Sequence, residues 1–182
     1  MTQTDQWLRL RSEEGPNLKL FRARFDYMRN PRNGETERMI VLESADSVNV
    51  VALTAEQEML FVRQYRFGIG QETLELPGGI VDPGEDHRSG AARELREETG
   101  YSGEKWTYLG KVASNPVFMD SYIHHWLLED AQSTHELELD TGETVTLERI
   151  PVAQVHNLLW EGAFMHPHTV SALVRYFAHQ TV

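Results

Sequence analysis

The order of elements along this 182-residue chain predicts an α+β fold, or a mixed sheet with helices on its faces, behind a small N-terminal lobe. Three observations carry that expectation. Apolar and β-branched stretches of strand length come in runs, not in strict alternation with helices. One helical segment interrupts those runs and two more close the chain. The first 45 residues hold strand-like stretches of their own around an Asn33-Gly34 turn signal, so residues 1–45 are expected to form a β lobe and 46–182 the main domain.

The elements follow in order. LKLFRARFDY (18–27) and residues 38–42 read as strands flanking NPRNGE. VNVVALT (48–54) and MLFVRQYR (59–66) read as a second hairpin across AEQE. TLEL (73–76) runs into Pro77-Gly78-Gly79, where strand pairing must stop or bend. VDPGED then places acids at a helix start, and a helix is expected from about Asp86 to Glu98. Three further strands are expected at 106–112, 123–129 and 145–150, and helices at 152–162 and 168–180.

Composition narrows the functional classes. The chain lacks cysteine, which excludes disulfides, thiolate metal sites and a cysteine nucleophile. No apolar run approaches the ~18 residues of a membrane span, and the first fifteen residues lack the basic start and apolar stretch of a secretory signal, so a cytoplasmic location is expected. Net charge is −11 and unevenly placed: residues 1–66 hold 10 of the 17 Lys+Arg and 10 of the 28 Asp+Glu, leaving 7 basic and 18 acidic residues for 67–182. An acidic body argues against tracking a nucleic-acid backbone, which takes Lys and Arg on phosphates. It suits a hard cation, which takes carboxylates.

RELREETG (93–100) concentrates that charge oddly. Glu94, Glu97 and Glu98 fall in the last turn of the expected helix, before a Gly100 suited to the C′ position. The C-terminal half-charge of a helix is negative, so each acid there costs about 0.3–1 kcal/mol when exposed. At ~100° per residue, Glu97 lies about 60° to one side of Glu94 and Glu98 about 40° to the other, so all three share one face. Solvated surface is the bland account of such a triplet; a bound Mg²⁺ or Mn²⁺ that cancels the repulsion is the functional one.

The surroundings favour the second account. Gly79, Glu85, Arg93, Glu94, Leu95, Glu97, Glu98 and Gly100 stand at set spacings over the 23 residues ending at Tyr101. This pattern resembles the Nudix box, the loop–helix–loop signature of the Nudix hydrolases, departing from it only at Tyr101, where the family usually has an aliphatic residue. The resemblance implies an α/β/α sandwich with a mixed central sheet, and attack of water on a nucleoside diphosphate linked to another group. It implies Glu94, Glu97, Glu98 and the carbonyl of Gly78 as metal ligands, with Glu97 alternatively beside the attacking water. Arg93 would orient the glutamates, Glu85 would brace the loop, and Gly79 and Gly100 would be structural.

Residues 62–85 (VRQYRFGIGQETLELPGGIVDPGE) resemble the ADP-ribose and nucleoside-diphosphate-sugar pyrophosphatase branch. That likeness implies substrate contacts from Arg66, Glu75 and Arg63. Pro116, fifteen residues after Tyr101, fits the ADP-ribose subgroup, while Val117 stands where that subgroup often has glycine. The branch also supplies a carboxylate base from a loop, here Glu143 by its distance from the following helix, with Asp140 second. It commonly exchanges its N-terminal lobe between subunits, which implies a homodimer, and Phe25 or Tyr27 of that lobe would either stack on a base or pack in a core. His124 and His125 point to opposite faces of a strand and read as structural, and MHPH (165–168) reads as a helix-cap region.

The expected activity is metal-dependent hydrolysis of nucleoside diphosphate sugars, ADP-ribose first, with GDP-mannose and others as further substrates. No nucleic-acid or membrane partner is expected. A non-cleaving sensor of ADP-ribose-like ligands and an RNA 5′-pyrophosphohydrolase are the alternatives. Intact box glutamates argue against the first, and the acidic body argues against the second.

Overall fold

The structure, a computed structural model, describes residues 6–138 and 144–180. The chain divides into two compact units, residues 1–45 with 113–121, and residues 46–112 with 122–182.

In the first unit, β1 (Leu8–Asn17), β2 (Arg22–Arg29) and β3 (Thr36–Glu43) form an antiparallel sheet in that order. The expected β2–β3 hairpin is present, with Gly34 at φ 75° in its turn. The strand expected from Leu18 begins only at Arg22, and β1 was not foreseen. A turn intervenes, in which Asn17 Oδ1 accepts the Lys19 N–H at 2.9 Å and Lys19 takes φ 68°. β1 escaped the hydrophobic pattern because nearly all of it is exposed. Phe25 and Tyr27 are half-buried, under the guanidinium groups of Arg38 at 3.7 Å and Arg11 at 3.5 Å. Asp120 of the 113–121 segment accepts from the Ser44 N–H at 3.3 Å, and the exposed Val117 lies in the same segment.

The second unit is built on a mixed sheet. β4 (Ser47–Thr54) pairs in parallel with β9 (Tyr122–Ser133) and antiparallel with β5 (Glu58–Arg66). β10 (Val145–Pro151) and β6 (Gln71–Glu75) pair with β5, while β7 (Tyr101–Ser102) and β8 (Lys105–Ala113) pair with β9. Alternation along β4 sends Val51 and Leu53 to one face and Val48, Val50 and Ala52 to the other. The first face packs on α2 (Val152–Trp160) through Val155 and on α3 (Pro167–His179) through Leu173 and Tyr176. The second packs on α1 (His87–Thr99) through Ala91 and Leu95. Helices on both faces of a mixed sheet are the expected α/β/α sandwich. His124 and His125 face opposite layers as read: His124 stacks on His87 of α1 with centroids 4.0 Å apart, and His125 meets Ser171 of α3 at 2.9 Å.

β6 ends at Glu75 because the chain changes partner there. Val50 N–H donates to Pro77 O and Val48 N–H to Gly79 O, both at 2.9 Å, so the Pro77–Gly79 stretch runs along β4. Gly78 passes so close that a Cβ would lie 2.0 Å from Val48 O, and its φ of 153° disfavours side chains as well.

Candidate active site

Asp86 caps α1, its carboxylate accepting from the N–H groups of Arg88 and Ser89 at 3.0 and 3.1 Å. Gly100 ends the helix at φ 74°, its N–H bonded to Arg96 O. The carbonyl of Glu97 accepts from Glu138 N–H at 3.0 Å, so the last turn is less rich in bare carbonyls than an isolated helix end.

Arg93 is the hub of the acidic face. Its Nε and Nη2 donate to the two oxygens of Glu85 at 3.2 and 3.1 Å, and Nη2 also reaches Ile80 O at 2.9 Å. Its Nη1 donates to Glu94 at 2.9 Å and Glu97 at 3.0 Å. Hydrogen bonding to Arg93 holds the Glu85 carboxyl below the usual carboxylate range, and the arginine's own pKa is raised in return. Glu85 Oε2 also accepts from Asp82 N–H at 3.1 Å, closing the loop onto the helix.

Glu98 is 5% exposed and accepts the Gly78 N–H at 2.8 Å, which ties the helix to the stretch that crosses β4. Glu94 sits against Gly79, where an added Cβ would fall 2.6 Å from its carboxylate. Gly90, which costs about 0.8–1 kcal/mol against alanine in a helix, now has a reason: a Cβ there would press on Glu85 Oε2 at 3.0 Å.

The charge puzzle therefore has a protein-side component. Arg93 bonds two of the three clustered glutamates, and Gly78 bonds the third. Among the described residues, no three acidic or histidine side chains are already gathered as a metal cage. The chemistry of the donor set still fits a hard divalent cation, since carboxylate oxygens on one face are the ligands it takes.

A pocket of about 610 Å³ opens at the ends of β5 and β6, lined among others by Tyr65, Arg66, Phe67, Thr73, Glu75 and His166. Glu75 is 1% exposed. Arg66 grips it through two bonds of 2.7 and 2.6 Å, the Thr73 hydroxyl donates to it, and His166 Nδ1 lies 3.3 Å from Oε2. Burial acts to raise the Glu75 pKa, but these donors outweigh it and keep the group below its ordinary range. Glu75 is three residues before Gly78, so the pocket wall and the acidic face are joined by a link of about 10 Å at most.

The NUDIX domain profile matches residues 43–173. The chain belongs to the Nudix hydrolase family. Several of its relatives bear the name of a pyrophosphatase. It is 30% identical over 128 residues to the ADP-ribose pyrophosphatase of Bacillus subtilis, covering 70% of this chain and 69% of that one. It is 32% identical over 142 residues to the methanol dehydrogenase activator of Bacillus methanolicus, covering 78% and 77%. A crystal structure of an ADP compounds hydrolase superposes with a TM-score of 0.84 at 25% identity, covering 97% of this chain and 95% of that one.

Within this Nudix chain, Glu85, Arg93, Glu94 and Glu97 are brought into one bonded group, with Glu98 and Gly78 bonded to each other. Arg66 and Glu75 are brought together in the pocket. Arg63 is not: its Nε donates to Glu148 on β10 at 2.6 Å, away from the pocket wall. Glu143 and Asp140 lie outside the described residues. One pocket group, His166, and one buried residue next to it, Thr169, escaped the sequence reading. His166 does hold the cap position of α3, but its side chain makes no capping bond and turns to Glu75. Thr169, fully buried, accepts from the Leu76 N–H at 3.1 Å and fixes the strand just before Pro77. Only the histidine and threonine around a Pro helix start hinted at them.

Proposed function

We propose that this chain is a divalent-cation-dependent pyrophosphohydrolase of nucleoside diphosphate sugars, with ADP-ribose as lead substrate, cleaved to AMP and ribose 5-phosphate. The single observation that carries the reading is the Arg93-centred carboxylate face, with Glu98 tied to Gly78, at one end of a short link to the Arg66–Glu75 pocket. The names carried by the relatives support the substrate class.

Glu94, Glu97, Glu98 and the Gly78 carbonyl would hold Mg²⁺, or Mn²⁺ in its place. When bound, the cation would neutralise the diphosphate, polarise its P–O bonds and lower the pKa of water. Arg93 and Glu85 orient the carboxylates, since a guanidinium fork fixes several oxygens at once. The pocket would take the nucleoside or sugar end of the substrate, with Arg66 meeting a phosphate and Tyr65 and Phe67 as apolar wall. Water adds to one phosphorus as one of its protons passes to a carboxylate; the bridging P–O bond breaks, and the leaving phosphate oxygen takes the bond's electron pair and then that proton. The carboxylate that takes the proton from water is Glu143, Asp140 or Glu97. We further propose a cytoplasmic homodimer whose chain comprises an N-terminal lobe, residues 1–45, and a hydrolase domain, residues 46–182. Among the described residues no helix is long and apolar enough to cross a membrane.

The test is a hydrolysis panel of ADP-ribose, GDP-mannose, a dinucleoside polyphosphate and 5′-triphosphate RNA, each with Mg²⁺ and with EDTA. Metal-dependent release of AMP and ribose 5-phosphate is expected. GMP and mannose 1-phosphate would shift the preferred sugar. No turnover, with ADP-ribose still raising the melting temperature, would replace the enzyme with a sensor.

A further inference from the structure

Side chains alternate along β5, and the alternation sets one amide apart at the pocket. Arg63 turns to Glu148, while Gln64 and Arg66 take the other face together with Thr73, which opposes Gln64 on β6. Leu60, two steps earlier on the face of Gln64, belongs to the cluster that Ala91 and Leu95 of α1 complete. Gln64 therefore lies on the side of the sheet that α1 covers, and α1 carries the acidic face. The polar groups around it are paired with one another: Arg66 and Thr73 both bond Glu75. Gln64 is half-buried and lines the pocket, yet among the described residues no group is bonded to its amide. A primary amide holds two N–H donors and a carbonyl acceptor side by side.

Resting on the function proposed above, we propose that Gln64 is a specificity-determining residue whose amide binds the cis-diol of a substrate ribose, one hydroxyl donating to its carbonyl and the other accepting from its N–H. Spacing selects the diol. Gln64 and Arg66 are two residues apart on one strand face, about 7 Å along the sheet. With Arg66 on a phosphate, the next ring along the substrate is a ribose on either side of the diphosphate, and the base lies one ring farther. Thr73 faces Gln64 across the strand pair but gives its proton to Glu75, which leaves the amide to the substrate. A site built to pair with both hydroxyls rejects an analogue lacking one, because a polar group of the pocket is then left unpaired. Gln64 meets the substrate away from the reacting phosphorus, so its effect falls on binding.

The experiment measures kcat and KM of the wild-type chain, Gln64→Met and Gln64→Glu on ADP-ribose and three analogues. One lacks the 2′-hydroxyl of the adenosine ribose, one lacks the 2-hydroxyl of the terminal ribose, and one has hypoxanthine for adenine. The wild type is expected to lose about tenfold in kcat/KM on one of the two deoxy analogues, mostly through KM, which names the ribose. Gln64→Met, similar in length but without the amide, is expected to lose about tenfold on ADP-ribose and to stop distinguishing it from that deoxy analogue, while its ratio of ADP-ribose to the hypoxanthine analogue stays that of the wild type. Gln64→Glu keeps an acceptor, so it is expected to retain part of the discrimination, and it keeps the test available where the methionine disturbs folding. Wild-type indifference to both deoxy analogues overturns the proposal, as does unchanged discrimination in a folded variant. A Gln64→Met that alters only the hypoxanthine ratio also overturns it, since the amide then reads the base. A wild type that cleaves no nucleoside diphosphate sugar overturns the parent function instead, and the inference falls with it.

Discussion

The carboxylate of Glu98 accepts the backbone N–H of Gly78 at 2.8 Å, so the last turn of α1 is fastened to the Pro77–Gly79 stretch that runs along β4. The side chain proposed as a metal ligand also holds the backbone beside it. That double use makes the two roles separable by substitution.

Glu98→Gln keeps an acceptor for Gly78 and removes the charge. Turnover of ADP-ribose with Mg²⁺ is expected to fall by at least about 100-fold, the scale of losing one charge-stabilising group at a reacting centre, while the melting temperature stays within a few degrees. Turnover within a few-fold of wild type would remove the acidic face from the chemistry.

Gly78 and Gly79 are neighbours with opposite forecasts. Alanine at 78 meets a backbone carbonyl at 2.0 Å in a φ that favours glycine, so Gly78→Ala should cost about 3 kcal/mol or more of stability. Alanine at 79 meets only the end of the Glu94 side chain, at 2.6 Å, which can swing aside. Gly79→Ala should leave denaturant midpoints within about 1 kcal/mol of wild type and still lower turnover about tenfold, a small displacement at a catalytic group being enough. Equal stability losses would contradict the contrast.

Arg93→Lys replaces a fork that spans Glu85, Glu94, Glu97 and Ile80 O with a single ammonium. A destabilisation of about 1.5–3 kcal/mol is expected by urea unfolding, the range of lost bonds to charged groups, together with weaker activation by Mg²⁺. A lysine variant with both values intact would show that the fork is dispensable.

His125 is fully buried, and burial pushes its pKa down to about 4 from the usual 6.5. Between those values the unfolded chain binds a proton that the folded chain does not, so stability rises with pH and is lost as pH falls from about 6.5 to about 4. The shift corresponds to about 3 kcal/mol when fully expressed. His166, with the same direction and range, adds to the slope. Denaturant midpoints across that window should fall steeply in the wild type and less in His125→Gln. Parallel curves would assign the slope to other groups.

The sequence by itself determined what is local. The apolar, β-branched run from 48 to 54 read as a strand, Asp86 and Gly100 bounded α1, and 100° steps put Glu94, Glu97 and Glu98 on one face. Arg93 and Glu85 were singled out by the resemblance to the Nudix box, and their pairing joins a loop and a helix that adjoin in the chain. Tertiary structure decided the rest. The turn at Asn17–Phe21 and the exposed β1 left no apolar periodicity to read. The route of Pro77–Gly79 along β4, the grip of Glu98 on Gly78 and the meeting of Glu75 with His166 join residues from distant parts of the chain. Such contacts depend on which strands become neighbours and which helix covers them, and period and capping carry no information about either. The partner of Arg63 belongs with these: only the pairing of β10 with β5 brings Glu148 to its Nε.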